Sequence, residues 1–94
     1  MTVASTIVEQ INTLDRMAFW AWGTKDVVHK NDGLKFKTSG MVKWKGYVYV
    51  KYDYGADLYN VIFAKVRKNE WKVEKKVDGV FCEDLVEIIN QQVG

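Results

Sequence analysis

Apolar residues recur at the start of the chain as Val3, Ile7, Ile11 and Leu14, with Val8 beside them. That spacing lays one apolar stripe along an α-helix, and Thr2 is placed to cap it. The pattern predicts a helix over residues 3–14 that ends near Asp15 and Arg16. Residues 17–22, Met-Ala-Phe-Trp-Ala-Trp, are apolar throughout. Periodicity leaves strand and helical turn both open there, and Gly23 ends the segment either way.

Beyond Gly23 the period shortens to two. Residues 26–30, centred on Val27 and Val28, form a short candidate strand, and Asn31-Asp32-Gly33 reads as a turn because Asn and Gly tolerate positive φ. Residues 34–37 alternate apolar with basic, a turn is predicted at Thr38-Ser39-Gly40, and residues 42–45 alternate in the same way. Gly46 interrupts that run as a bulge or bend before residues 47–52 continue in β-rich types. A third turn falls at 53–57. In the next strand, 58–67, Tyr59, Val61 and Phe63 share one face while Leu58, Asn60, Ile62 and Ala64 share the other. Residues 68–70 turn the chain into a last strand that reaches Val77, and Asp78-Gly79 closes it. Phe81, Leu85, Ile88 and Ile89 return to helical spacing, with Glu83 and Asp84 in the first turn, where the helix dipole favours acids. This predicts a second helix over residues 83–92.

Strands joined by short turns pair antiparallel, and helices at the two ends of a sequence can cover one face of the sheet they form. The fold class is therefore α+β: one domain over residues 1–94, with an antiparallel sheet of four to five strands and N-terminal and C-terminal helices on one face. The expected core is Ile7, Ile11, Leu14, Leu34, Phe36, Tyr59, Val61, Phe63, Leu85 and Ile88. With 94 residues, 48% of them hydrophobic, that core is modest. Four Trp, five Tyr and four Phe compensate, because large rings bury much area per residue.

Charge changes the picture. The net of +2 conceals a basic centre and an acidic tail. Residues 30–51 hold Lys30, Lys35, Lys37, Lys43, Lys45 and Lys51 against Asp32 alone, and residues 65–76 hold six more bases against Glu70 and Glu74. From Asp78 onward there are Asp78, Glu83, Asp84 and Glu87 and no base. If Leu34, Phe36, Val42 and Trp44 face the helices, Lys35, Lys37, Lys43 and Lys45 gather on the other face, with Lys65 and Arg67 on the neighbouring strand. These six would neutralise phosphates, and Tyr47, Tyr49, Tyr52 and Tyr54 would offer stacking platforms for unpaired bases. The bland alternative is a solvated outer face whose lysines discourage aggregation between sheet edges. A rival function is a protein-interaction module acting through exposed Trp or Tyr.

Catalytic chemistry is not called for. His29 has no partner at metal-ligand spacing, and Cys82, followed by two acids, has no base near it. Gly23-Thr24-Lys25 lacks the phosphate-loop pattern, and Asp53 to Asp57 is not a calcium loop. The reading is a non-enzyme with no cofactor and no metal. The lone Cys82 fits a reducing cytoplasm, and no basic apolar leader or long apolar stretch points to secretion or a membrane. An open sheet edge is compatible with a monomer or a homodimer.

One further pattern runs across most of the chain: Gln10-Ile11, Gly23-x-Lys25-Asp26, Gly33-Leu34-x-Phe36, Asp57-x-Tyr59-x-Val61-x-Phe63, Arg67 and Val80-Phe81-x-x-Asp84-Leu85. In order and spacing this resembles a family of short uncharacterised proteins encoded by bacteriophages, prophages and other mobile elements. Around Gly23 to Asp26 the chain departs from the family's habit of a small residue followed by Asn. The resemblance implies an accessory protein of a mobile element, with DNA, RNA or a host or phage protein as partner. It brings no catalytic residues with it.

Overall fold

The computed structural model describes residues 2–39 and 42–94. Helix α1 spans Val3–Leu14 and a short helix α2 spans Ala18–Ala21. Five strands follow: β1 (Lys25–Lys30), β2 (Gly33–Lys37), β3 (Tyr47–Asp53), β4 (Leu58–Arg67) and β5 (Glu70–Val80). A 3-10 turn at Cys82–Asp84 leads into the last helix, α3 (Leu85–Val93). The strands form one sheet in chain order, β1-β2-β3-β4-β5, with every neighbouring pair antiparallel. The α+β class and the five-strand count agree with the sequence pattern. The 17–22 ambiguity resolves as helix.

α1 starts where a side chain can satisfy its free N–H groups. The Thr2 hydroxyl accepts from the Ser5 N–H at 3.1 Å, and Ser5 Oγ accepts from the Thr2 N–H at 3.0 Å. Its buried stripe is Ala4, Ile7 and Ile11. α3 buries Leu85, Ile89 and Val93, one residue per turn. Both stripes meet the sheet face built by Leu34, Phe36, Val48, Val50, Tyr59, Val61 and Phe63. Each fully buried side chain of this size contributes about 1.5–3 kcal/mol. Trp22 joins them, stacked on Phe36 with ring centroids 5.9 Å apart, while its indole N–H donates to Asn90 Oδ1 at 2.6 Å. A buried polar indole is thereby satisfied across 68 residues of chain.

The last strand does not close at Asp78-Gly79 but runs on to Val80, which pairs with Tyr59. Four further expectations need correction. Leu14 is 44% exposed. It sits on the last turn of α1 and lines a groove beside Cys82 and Glu83 instead of entering the core. Ile88 is only half-buried, because Leu85 sets the phase of α3 and Ile89 follows it one turn later. The Asn31-Asp32 turn forms without positive φ. Gly33 belongs to β2, where a Cβ would collide with the Val50 carbonyl. Positive φ is found instead at Lys68 (51°) and Asn69 (64°), the two-residue loop joining β4 to β5. Both residues left-handed is the turn whose twist suits a hairpin.

The last correction concerns residues 42–45, which are not a strand. Their backbone is held from elsewhere: Trp44 N–H donates to the Val93 carbonyl at 3.1 Å, and Thr38 N–H donates to Gly46 O at 2.8 Å. The buried Thr38 hydroxyl accepts from Gly46 N–H at 3.1 Å and lies 3.2 Å from the Trp44 carbonyl. Trp44 packs edge-on against Phe63, at 5.8 Å, beneath the sheet. Gly40, the end of the predicted Thr38–Gly40 turn, lies outside the described residues.

Candidate nucleic-acid interface

Alternation along each strand assigns the other face of the sheet. Across it, Val28, Lys35, Tyr49, Ile62 and Lys76 stand opposite one another in one row. Lys37, Tyr47, Ala64 and Val73 form the next row, and Val66 and Trp71 the one after. Both α1 and α3 send their buried stripes to the opposite face. Ala64 is fully buried all the same, between Tyr47 and Val73 in its row. Its single methyl leaves room for the rings of Tyr47 and Trp71 to meet across β4, with centroids 5.6 Å apart and planes tilted by 43°. The ammonium of Lys35 lies 5.7 Å from the Tyr47 ring centre and 5.6 Å from that of Trp71, and Lys37 lies 5.9 Å from Tyr47. Cations at such distances are held by the ring quadrupole.

The meander also sorts charge by end. It brings the start of β1, the end of β2, the start of β3 and the β4–β5 turn to one end of the sheet. Lys25, Lys37, Lys43, Lys45, Lys65, Arg67 and Lys68 lie there, against Asp26 and Glu70. The other end collects Asp32, Asp53, Asp57 and Asp78, against Lys30 and Lys51. At the basic end an open basin of about 400 Å³ is lined by Lys37, Lys45, Gly46, Tyr47, Lys65, Val66 and Arg67. No carboxylate is among these residues. Lys65 is partly engaged, 3.7 Å from Glu74 and 5.7 Å from the Trp44 ring centre. The other ion pairs among the described residues are Lys51–Asp32 (3.8 Å) and Lys76–Asp78 (3.5 Å). Lys35, Lys37, Lys45 and Arg67 therefore have no acidic partner among the described residues.

The six predicted phosphate ligands thus divide. Lys35 and Lys37 stand on the open face as expected. Lys43 and Lys45 come from the loop that Trp44 anchors, and only Lys45 reaches the basin. Lys65 is directed to the helix-covered side by its register with Lys72, and it rejoins Lys37 only because both lie at the sheet's end. Of the four tyrosines, Tyr47 and Tyr49 lie on the open face. Tyr52 packs on Tyr59, with ring centres 5.5 Å apart, and its hydroxyl donates to Asp57. Tyr54 lies in the β3–β4 turn, edge-on to Tyr52. Trp71 is 41% exposed and is the ring left out of the stacking set expected from the sequence. Its place in an alternating edge strand, in phase with Val73, was the available signal.

Tyr49 is a poor proton donor. Burial first, then the hydrogen bond it donates to Asp32, then that carboxylate's charge push its phenol from 10.0 up to about 12. The exposed Cys82 thiol is also pushed up, by desolvation first and then by Glu83, to which it donates at 3.4 Å. That is the opposite of what an activated nucleophile needs. Among the described residues no group of three or more His, Cys, Asp or Glu could hold a metal ion. Among them, too, no helix is long and apolar enough to cross a membrane.

A second concavity, about 590 Å³, lies between α1, α2 and β1 and is lined by Val8, Phe19, Trp20, Gly23, Thr24, Lys25, Val27, His29 and Ser39. Trp20 on its rim is 78% exposed. Its walls are mainly apolar and hold one lysine, so its chemistry differs from that of the basic basin. No protein-family model, no curated protein and no solved structure matches this chain.

Proposed function

We propose that this is a small accessory protein that contacts nucleic acid without sequence preference, through phosphates held at the basic end of the open sheet face. The observation that carries this reading is the basin in which Lys37, Lys45 and Arg67 converge with no carboxylate in its lining. Cations already gathered and unpaired release counterions when they meet a phosphate chain. The two rings on the adjoining face suit the same ligand. The reading has no catalytic step, and it includes a cytoplasmic setting, which the lone Cys82 supports. The order of motifs from Gln10 to Leu85 favours a phage or other mobile element as the source.

Fluorescence anisotropy with labelled DNA and RNA, at low and near-physiological salt, tests it. Binding should weaken steeply with salt. The triple variant Lys37→Glu, Lys45→Glu, Arg67→Glu should lose binding on the order of a hundredfold and flatten the salt slope while remaining folded. Unchanged affinity in the folded triple variant removes the basin from the account.

A second reading is favoured by Trp20: a protein-interaction module that takes a host or phage protein in the apolar concavity beside α2. Exposed Trp next to a groove is the composition of an interface hot spot. Its binding would respond little to salt and would fail in Trp20→Ala, leaving the basic end uninvolved.

A further inference from the structure

We infer that the interface takes single strands, with an unpaired base stacked on the Tyr47–Trp71 pair while the neighbouring phosphate lies in the basin beside it. This rests on the phosphate reading above and adds the substrate class. Tyr47 belongs to both places: its ring meets Trp71 at 5.6 Å, and it lines the basin with Lys37, Lys45, Lys65 and Arg67. A nucleotide whose base lies on that ring has its own phosphate within reach of long side chains already there.

The two rings are presented on a sheet face that α1 and α3 leave uncovered, above the buried methyl of Ala64. An accessible aromatic ring binds the π-face of a base, which a duplex hides between its neighbours and a single strand exposes. The charge pattern adds a direction. At the far end of the sheet Asp32 is paired with Lys51, and Asp53 and Asp57 outweigh the remaining Lys30, so phosphate is favoured at the basic end over the length of β3 and β4. Stacking accepts any base, which matches binding without sequence preference.

The test is anisotropy at low salt with three probes: a labelled oligothymidylate, an abasic strand of the same length and a duplex. Wild type, Trp71→Ala and Trp71→Phe are compared. The base-bearing strand should bind the wild type on the order of tenfold tighter than the abasic one. Trp71→Ala should erase that difference, Trp71→Phe should keep most of it, and duplex affinity should be the same in all three proteins. Equal affinity of the wild type for base-bearing and abasic strands overturns the stacking site and leaves the phosphate reading standing. Failure of every probe to bind at low salt overturns both.

Discussion

The same strands make both faces of this sheet, and the two faces follow different rules. On the covered face Leu34, Phe36, Val48, Val50, Val61 and Phe63 are all fully buried. On the open face their immediate neighbours Lys35, Tyr49 and Ile62 keep some contact with water, and Trp71 and Val73 keep much more. The covered face is specified by volume and shape, because close packing punishes every missing methylene. The open face is specified by charge and by which rings stay accessible. Stability therefore rests mainly on the inward set of alternate residues, and substitutions on the open face should leave it nearly unchanged.

The sharpest way to break that contrast is a pair of truncations one strand apart. Phe36→Ala should cost about 3–5 kcal/mol in urea denaturation, since it removes a buried ring from the stack on Trp22. Ile62→Ala on the open face should cost about 1 kcal/mol, for loss of a partly exposed side chain. Equal losses would mean that the open face is as closely packed as the covered one.

A smaller effect probes the loop that joins the two faces at the basic end. A Cβ on Gly46 would stand 2.6 Å from the Ala64 carbonyl oxygen, which is backbone and cannot step aside. Gly46→Ala should cost about 1–3 kcal/mol. Gly55→Ala, whose Cβ meets nothing nearer than Asp53 Oδ1 at 3.5 Å, should be close to neutral by the same denaturation midpoint.

The smallest effect is at alkaline pH. With Tyr49 at about 12 in the folded protein against 10.0 ordinarily, its contribution to stability is complete below pH 10 and declines as pH rises toward 12. In a phenolate absorbance titration Tyr52, pushed up to about 12 by its hydrogen bond to Asp57, and Tyr59, pushed up by burial, should also ionise late, so Tyr49 is followed as the change between wild type and an Asp32 variant. Asp32→Ala should bring the Tyr49 ionisation down part of the way, because burial, the first cause, remains. An unchanged titration would remove Asp32 from the explanation.

Much of the covered face was legible in the alternation itself. Tyr59, Val61 and Phe63 were assigned to one side of β4 from spacing alone, and α1 was bounded at residues 3–14. The misreadings have two causes, contact between segments distant in sequence and the phase of a helix set by its first turn. Val42-Lys43-Trp44-Lys45 has a strand's alternation, but Trp44 is claimed by Phe63 and by the carbonyl of Val93, so the run bends. Ile88 and Ile89 are adjacent, and only the position of Leu85 after the 3-10 turn decides which of them faces inward. The basin was legible as two basic runs, not as a place. It needed the knowledge that alternate turns of a meander share an end, which brings Lys45 beside Arg67.

The strand order also governs how the molecule assembles. Because β1 to β5 lie side by side in the order in which they are written, each strand finds its partner through the connection just before it. Short loop closures cost little chain entropy, so contact order is low for a sheet and refolding should be fast. The chain has no Pro, so no isomerisation phase of tens of seconds should follow. After dilution from denaturant a single exponential is expected, and Trp22 packing and the Tyr47–Trp71 contact should form with the same time constant.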